Sequence, residues 1–503
     1  MSALLTPIAD LTAMAKLLTA GGDERIAVGA DGLNRYGLPS TPEPGVPSYG
    51  SCTASVISPG AFSMAEATGE RLQSLPPDAQ AGFYAENLDR IRAALRSYAL
   101  NAEADILLAD SGTTLHLLTA DILWKADAAP LAIVMMEAAE TGRGVPAALR
   151  GRHFSASTPQ GGLVTAGQPL EPSRAIPVHA IAIRDVDGNP RPAATVDAET
   201  RALVASLIAE GQRVLLNTVD GSKTGLIAPG IDCVLALKRT FREALDILVD
   251  ACQFRLAPET LRAYLDQGWL VALTGSKFIG GPPFSGALMI PPGRAGRLRD
   301  CRPSDAIALY SSRAEWPLGW NARDNLPAAP NFGLLLRWQA ALFELRAFQA
   351  LPPSDVAEFF AKFAATVNER LAADDVFEQL PVPALDRSLL IAEKHWDFIQ
   401  TVFPFLIRRK GRSSYLGRTE TKQLYDLTDA GHAGVSRFRL GQPVECGERN
   451  GQPVSALRLC AGARLAVDAI SPHGRGTSAV LAETRSVLDE LARLAIEIQA
   501  REA

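Results

Sequence analysis

Between residues 83 and 290 the chain alternates two hydrophobic rhythms. Apolar residues at helical spacing mark GFYAENLDRIRAALRSYAL, while short, nearly unbroken apolar runs mark strands in ADILLAD, PLAIVMME, IPVHAIAI, QRVLLNTV, LDILVDA and WLVALTG. This alternation predicts a largely parallel sheet wrapped by helices, with any ligand lying beyond the carboxyl ends of the strands. Ahead of it, GLPSTPEPGVPSYGSCTAS (38–55) is rich in Pro, Gly and Ser. It reads as an extended arm between a short N-terminal helix and the main body, with a new helix starting after Ser58-Pro59. Beyond about 330 the rhythm changes to long helices, beginning FGLLLRWQAALFELRAFQAL, whose Trp and Phe residues fall at core spacing. Paired strands follow in SRFRLGQPVECGERNGQPVSALRLCAG, with a turn at Asn450-Gly451, and the amphipathic helix AVLAETRSVLDELARLAIEIQ closes the pattern. The predicted fold class is α/β. Residues 1–62 form a helix and arm, 63–330 a large domain, and 331–503 a smaller α+β domain.

Composition narrows the partner. A chain of 503 residues that is 47% hydrophobic can bury one large core and a second smaller one. Its 50 Lys and Arg against 55 Asp and Glu, without a long run of one sign, lack the footprint of a nucleic-acid or anionic-membrane partner and point to a small molecule. Six cysteines without a CxxC pair indicate neither a disulfide framework nor a zinc site, which fits a reducing cytoplasm. Asp10 and Lys16 interrupt the first apolar residues, unlike a secretory signal, and no run reaches the roughly 18 apolar residues of a membrane helix. His116, His153 and His179 lack a second ligand at metal spacing, so no metal is expected and each reads as an ordinary hydrogen-bonded residue. Lys223-Thr224-Gly225 imitates a penicillin-binding KTG without its S-x-x-K or S-D-N companions.

Three strand-end loops carry candidate chemistry. LLADSGTTLHLLTADIL puts Ser111-Gly112-Thr113-Thr114 at a strand-to-helix turn, where backbone N–H groups and hydroxyls can hold a phosphate against the helix dipole. ILVDACQ ends a strand on Asp250, with Gln253 just beyond, and a carboxylate after a buried run needs a cationic or hydrogen-bonding partner. WLVALTGSKFIGGPPFSGALMIPP presents Lys277 among small residues that let backbone and ligand approach closely. The 27 residues from Asp250 to Lys277 suffice for a crossover and the next parallel strand, so both side chains can face one site. An amine able to form an imine, a carboxylate able to hold a pyridinium proton and a phosphate turn together describe a pyridoxal phosphate site.

Taken in order from about 105 to 290 and again near 455, these residues resemble the class V aminotransferase and cysteine desulfurase group of fold-type I pyridoxal phosphate-dependent enzymes. SGTT resembles the family's phosphate turn (Gly112, Thr113, Thr114), VDACQ its Asp and Gln pair (Asp250, Gln253), and TGSKFIGGPPFSGAL its lysine segment (Ser276, Lys277). VDGSKTG resembles the loop that touches the cofactor's 3-oxygen, at Ser222, and SALRLCAGARL the segment whose arginine, here Arg458, takes the substrate carboxylate. The resemblance implies pyridoxal 5′-phosphate as cofactor, Lys277 and Asp250 as catalytic residues, and an amino acid or related amine as substrate. Aminotransferase is the first reading, with a lyase or desulfurase as the alternative and a non-catalytic scaffold as a remote one. It also implies a homodimer whose active sites lie at the interface, the loop LPAAPNFG standing where a partner's phosphate contact would come from, at Asn331. Where the family stacks a histidine on the cofactor ring this chain reads MEAAETGRGVP, placing Glu140 or Thr141 there. Cys446, 12 residues before Arg458, sits where a desulfurase keeps its nucleophile, but its neighbours read as strand and its thiol as buried.

Overall fold

The computed structural model describes residues 13–50, 55–409, 411, 414–431 and 436–501. Its larger sheet is built from β1 (Asp105–Ala109), β2 (Leu131–Met136), β3 (Val178–Ile181), β4 (Arg213–Asp220), β5 (Ile227–Ala228), β6 (Leu245–Asp250), β7 (Leu270–Thr274) and β8 (Gly286–Ile290). They lie in the order β1-β8-β7-β6-β4-β2-β3, with β5 paired to β4. The pairs β2/β3, β2/β4, β4/β6 and β6/β7 are parallel, and β8 runs antiparallel to both β7 and β1. β1, β2, β3, β4, β6 and β7 therefore all end at one edge. β8 is an addition to the strands that the pattern predicts.

The unbroken apolar runs have a direct cause. Along β2, Ala132, Val134 and Met136 enter one hydrophobic cluster, and Leu131, Ile133 and Met135 enter another. Alternate residues of β4, β6 and β7 divide in the same way, so helices cover both faces of these strands, whereas the edge strand β3 leaves Ala180 exposed. The helix Pro59–Ser74 starts where expected, capped by Ser58, whose Oγ accepts from the Ala61 N–H at 3.1 Å.

A second, antiparallel sheet lies in the order β11-β12-β10-β9, formed by β9 (Phe377–Gln379), β10 (Val402–Ile407), β11 (Gly441–Arg449) and β12 (Gln452–Cys460). Asn450 and Gly451 join β11 to β12 with φ of +54° and +72°, the left-handed pair of a tight hairpin. One apolar cluster runs from Ile106 and Val271 of the first sheet through Leu334 and Trp338 to Phe405 and Leu457 of the second. The helix Phe332–Gln349 is the wedge between them, packing on Pro59–Ser74 and on Ala463–Ile470.

A buried ion pair ties the segment after β9 to the end of β4. Arg387 donates through Nη2 and Nε to Asp220 Oδ1 and Oδ2 at 2.5 and 2.9 Å, and Tyr264 donates to Oδ2 at 2.6 Å. Both charged side chains are only 1% exposed. Removing one member of such a pair strands the other charge in the core. Asp220→Asn is expected to lower the unfolding free energy by about 3 kcal/mol in urea denaturation. Adding Arg387→Met should recover part of that loss, because the stranded charge is then gone.

Candidate active site

The carboxyl edge of the first sheet brings the predicted residues of three loops together. Asp250 ends β6, next to β7, and Lys277 follows β7 by three residues at the head of a tight loop. The loop is closed by bonds from Gly275 N to Ser285 O at 2.9 Å and from Gly281 N to Gly275 O at 3.0 Å. Its glycines answer to packing rather than to turn geometry alone. A Cβ on Gly275 or Gly281 would stand 2.5 or 2.7 Å from Ala341 Cβ on the wedge helix. Ser276 contributes its carbonyl, which accepts from Ser55 Oγ at 2.8 Å. A cleft of about 230 Å³ opens beside Lys277, walled by Ser48, Gly50 and Ser55 of the N-terminal arm and by Arg464. Residues 51–54 of that arm, including Cys52, lie outside the described residues.

The SGTT turn begins the helix Gly112–Lys125 as predicted. Ser111 caps it, its Oγ accepting from the Thr114 N–H at 3.2 Å and lying 3.0 Å from the Thr114 hydroxyl. The N–H groups of Gly112 and Thr113 come before any turn that could accept from them, the usual arrangement of an anion site. Arg25 Nη1 reaches Thr113 Oγ1 at 3.5 Å. Asn331, by contrast, is used within its own chain. Its Oδ1 accepts from Leu334 N at 3.0 Å and its Nδ2 donates to Gly21 O at 2.8 Å.

Asp250 finds the partner its burial requires in His116, one turn into the same helix. The imidazole Nδ1 lies 2.7 Å from Gly112 O, so it donates there, and Nε2 lies 3.3 Å from Asp250 Oδ2. That second contact is at ion-pair distance without the alignment of a full hydrogen bond. Burial would raise Asp250, but His116 and then Lys277 hold it well below the usual carboxylate range. Burial would lower His116, and Asp250 instead raises it. Each of the two groups therefore favours the charged form of the other. The sequence reading of His116 as an ordinary hydrogen-bonded residue missed this. The available signal was its place four residues after Gly112, on the helix face that the turn turns inward.

Ser222 and Glu140 are bound to each other. Ser222 Oγ donates to Glu140 Oε2 at 2.6 Å and accepts from Leu226 N at 3.0 Å, while Arg184 Nε pairs with Glu140 Oε1 at 2.5 Å. Burial acts to raise Glu140, but Arg184 and the hydroxyls of Ser222 and Thr224 keep it below its ordinary value. Thr141 donates to Glu137 O at 3.1 Å, so positions 140 and 141 offer hydrogen-bonding groups and no aromatic face. Gln253 stands beside this loop, its Cβ 3.4 Å from where a Cβ on Gly221 would be.

Arg458 reaches the edge from β12. Its Nη1 donates to Lys223 O at 3.0 Å and its Nη2 to Gln442 O at 2.7 Å, and among the described residues no carboxylate pairs with it. Cys446 is a core residue of β11, packed with Leu380, Leu406 and Val454, and burial pushes its thiol up to about 11. It has neither the exposure nor the acidity of a nucleophile.

No protein-family model and no curated protein matches the chain. Solved structures do. The cystine C-S lyase C-DES, in complex with its reaction product cysteine persulfide, superposes with a TM-score of 0.56 at 16% identity, covering 89% of this chain and 97% of that one. A variant of the same lyase with glycine covalently linked to its PLP cofactor gives 0.54 at 14% identity, over 90% and 99%. Ureidoglycine-glyoxylate aminotransferase from Bacillus subtilis gives 0.50 at 12%, over 91% and 98%. Tryptophan decarboxylase from Catharanthus roseus, with L-tryptophan, gives 0.51 at 15%, over 89% and 84%. Likeness at this level of identity shows the fold.

The two members of the His116–Asp250 pair respond to pH in opposite senses. His116, raised on folding, contributes stability that is complete below its ordinary value of 6.5 and lost as pH rises through the raised one. Asp250, depressed on folding, contributes stability that is complete above 3.8 and lost as pH falls through the depressed value. His116→Gln should therefore destabilise the chain by about 1–3 kcal/mol at pH 5.5 and by less at pH 9, measured by urea unfolding at both. An equal loss at the two pH values would mean that His116 is neutral when folded.

Proposed function

We propose that this chain, whose fold is that of the fold-type I pyridoxal phosphate-dependent enzymes, is itself such an enzyme and acts on an amino acid or a related amine. The observation that carries the reading is a lysine one strand away from a buried carboxylate held well below its usual range and backed by the His116 imidazole at 3.3 Å. The residues fit the cofactor. The helix start at Gly112–Thr114 suits its phosphate, Asp250 its ring nitrogen and Lys277 its aldehyde. When bound, pyridoxal phosphate supplies an aldehyde that captures the substrate amine and a ring that accepts the electron pair left at the α-carbon.

The chain's own residues divide the remaining work. Lys277 would hold the cofactor, and its amine would serve as the base that takes the α-proton. Asp250 keeps a proton on the ring nitrogen, and His116 keeps Asp250 ionised and fixed. Arg458 offers a planar fork to the substrate carboxylate, exchanging backbone carbonyls for it.

Transamination is the reading carried from the sequence. Elimination is the second reading, favoured by the likeness to the cystine C-S lyase. Desulfuration through Cys446 has no support, given the burial of that thiol. Mass analysis of products after an amino-acid screen separates the first two. A keto acid with pyridoxamine phosphate marks transamination, and a keto acid with ammonia and a released thiol or persulfide marks elimination. Protein that stays colourless with added pyridoxal phosphate would sink the whole reading.

Two substitutions test the assignments. Borohydride reduction of the loaded protein should fix the cofactor on Lys277, detected by peptide mass, and Lys277→Ala should abolish the attachment while the protein stays folded. Cofactor found on another lysine would refute the assignment. Arg458→Ala should lower kcat/KM for amino acids by the equivalent of about 2–5 kcal/mol and leave the cofactor's absorbance in place. Arg458→Lys, a point charge without the fork, should mainly raise KM. Unchanged kcat/KM would make Arg458 a structural residue.

A further inference from the structure

Four cationic side chains gather where the loop after β4, the loop after β6, the head of the Lys277 loop and β12 meet. Lys223 Nζ donates to Ala138 O at 3.2 Å and Ala139 O at 2.9 Å, and its own carbonyl accepts from Arg458. Arg255 lies over the Phe278 ring, with its guanidinium carbon 5.1 Å from the centroid. It donates through Nη1 to Thr401 Oγ1 at 2.5 Å and to Ala461 O at 2.8 Å. Its Nε and Nη2, and the Nε of Arg458, are buried without an acceptor. Among the described residues none of Lys223, Arg255, Lys277 and Arg458 is paired with a carboxylate.

The charges act on one another. Burial and then Arg458 push Lys223 down to about 8, Glu140 pulls the other way, and Lys277 adds a smaller push. Burial, with Arg458 adding to it, pushes Arg255 down to about 10. The two nearby acids are already engaged, Glu140 by Arg184 at 2.5 Å and Asp250 by His116. Arg143, which also acts on Lys223, is exposed and faces Glu445. Buried cations in excess of buried anions are costly unless a ligand supplies the missing charge. A cofactor phosphate at Gly112–Thr114 would answer to the helix start, and one substrate carboxylate would answer to Arg458 alone.

We infer that the substrate is a dicarboxylic amino acid, and that Lys223 takes its second carboxylate while Arg458 takes the first. This rests on the reading of the site as one that binds an amino acid. Three features suit Lys223 to that role. Its two bonds to Ala138 and Ala139 fix the ammonium in place, and an ammonium has a third N–H to give. Its backbone carbonyl accepts from the Arg458 guanidinium at 3.0 Å, so the ammonium of the same residue is at most about one side chain from that guanidinium, a span that a short diacid can bridge. It follows Ser222 directly, on the loop at the end of β4 and hence at the ligand edge of the sheet.

The test needs neither turnover nor cofactor. Calorimetry on the full chain without cofactor should show glutarate or succinate binding at least tenfold more tightly than butyrate, and Lys223→Met should bring that ratio to within about twofold. Lys223→Arg, which keeps a cation, should retain most of the preference and serves if the Met variant does not fold. In the cofactor-loaded protein, spectral titration should favour glutamate over glutamine, or aspartate over asparagine, by the same margin, again lost in Lys223→Met. No diacid preference in the unmodified protein overturns the inference. So does a Lys223→Met variant that weakens acid and amide equally, or one that shifts the resting spectrum without changing their ratio. A spectral response to neutral amino acids with no acid preference defeats this inference alone. Lys223-dependent glutarate binding with no response to any amino acid defeats the enzyme reading instead.

Discussion

Everything at the ligand edge depends on keeping one buried carboxylate charged. Left alone at the end of β6, Asp250 would be driven toward its neutral acid form by desolvation, and a neutral acid cannot hold a proton on a ring nitrogen. His116 reverses that outcome with a contact of 3.3 Å, and it is itself held by the Gly112 carbonyl. The same carbonyl belongs to the turn proposed to hold the phosphate. Under the proposed assignment one short helix start would orient both ends of the cofactor, so a displacement of that helix would disturb its phosphate and its ring together.

The rest of the first sheet serves to present this edge. Strands covered on both faces leave little free surface for a ligand except at their ends, where Asp220 and Asp250 close β4 and β6. The second sheet meets that edge through Arg458, whose hydrogen bond to the Lys223 carbonyl joins strand β12 to the loop after β4. A single apolar cluster joins the sheets behind this contact.

What could be read from the sequence followed from local physics. The apolar runs gave the strands, the Asp250 to Lys277 spacing gave their adjacency, SGTT gave a capped helix start, and Asn450-Gly451 gave the hairpin. What could not be read depended on residues distant in the chain. The pairing of His116 with Asp250 spans 134 positions and needs two elements docked before it exists. Ser222 matched a family position, yet its hydroxyl is spent on Glu140, 82 residues earlier. β8 begins on Gly286 directly after the Gly- and Pro-rich loop and ends at Pro291, so it does not stand apart from that loop in the sequence. The boundary placed at 330 marks a real change of rhythm, but the wedge helix that follows buries its apolar side chains in a cluster common to both sheets.

The contact between the wedge helix and the lysine loop has a mechanical consequence. With the backbone of Gly275 and Gly281 pressed against Ala341, and Gly280 N bonded to Lys277 O at 3.0 Å, the peptide on either side of the lysine has no room to travel. Its ammonium can still sweep an arc, because the aliphatic stem keeps its own torsions. Lys277 is thus a tether on a fixed post. Its reach is set by stem length, not by loop motion, and any group it serves must lie on the surface of that small sphere.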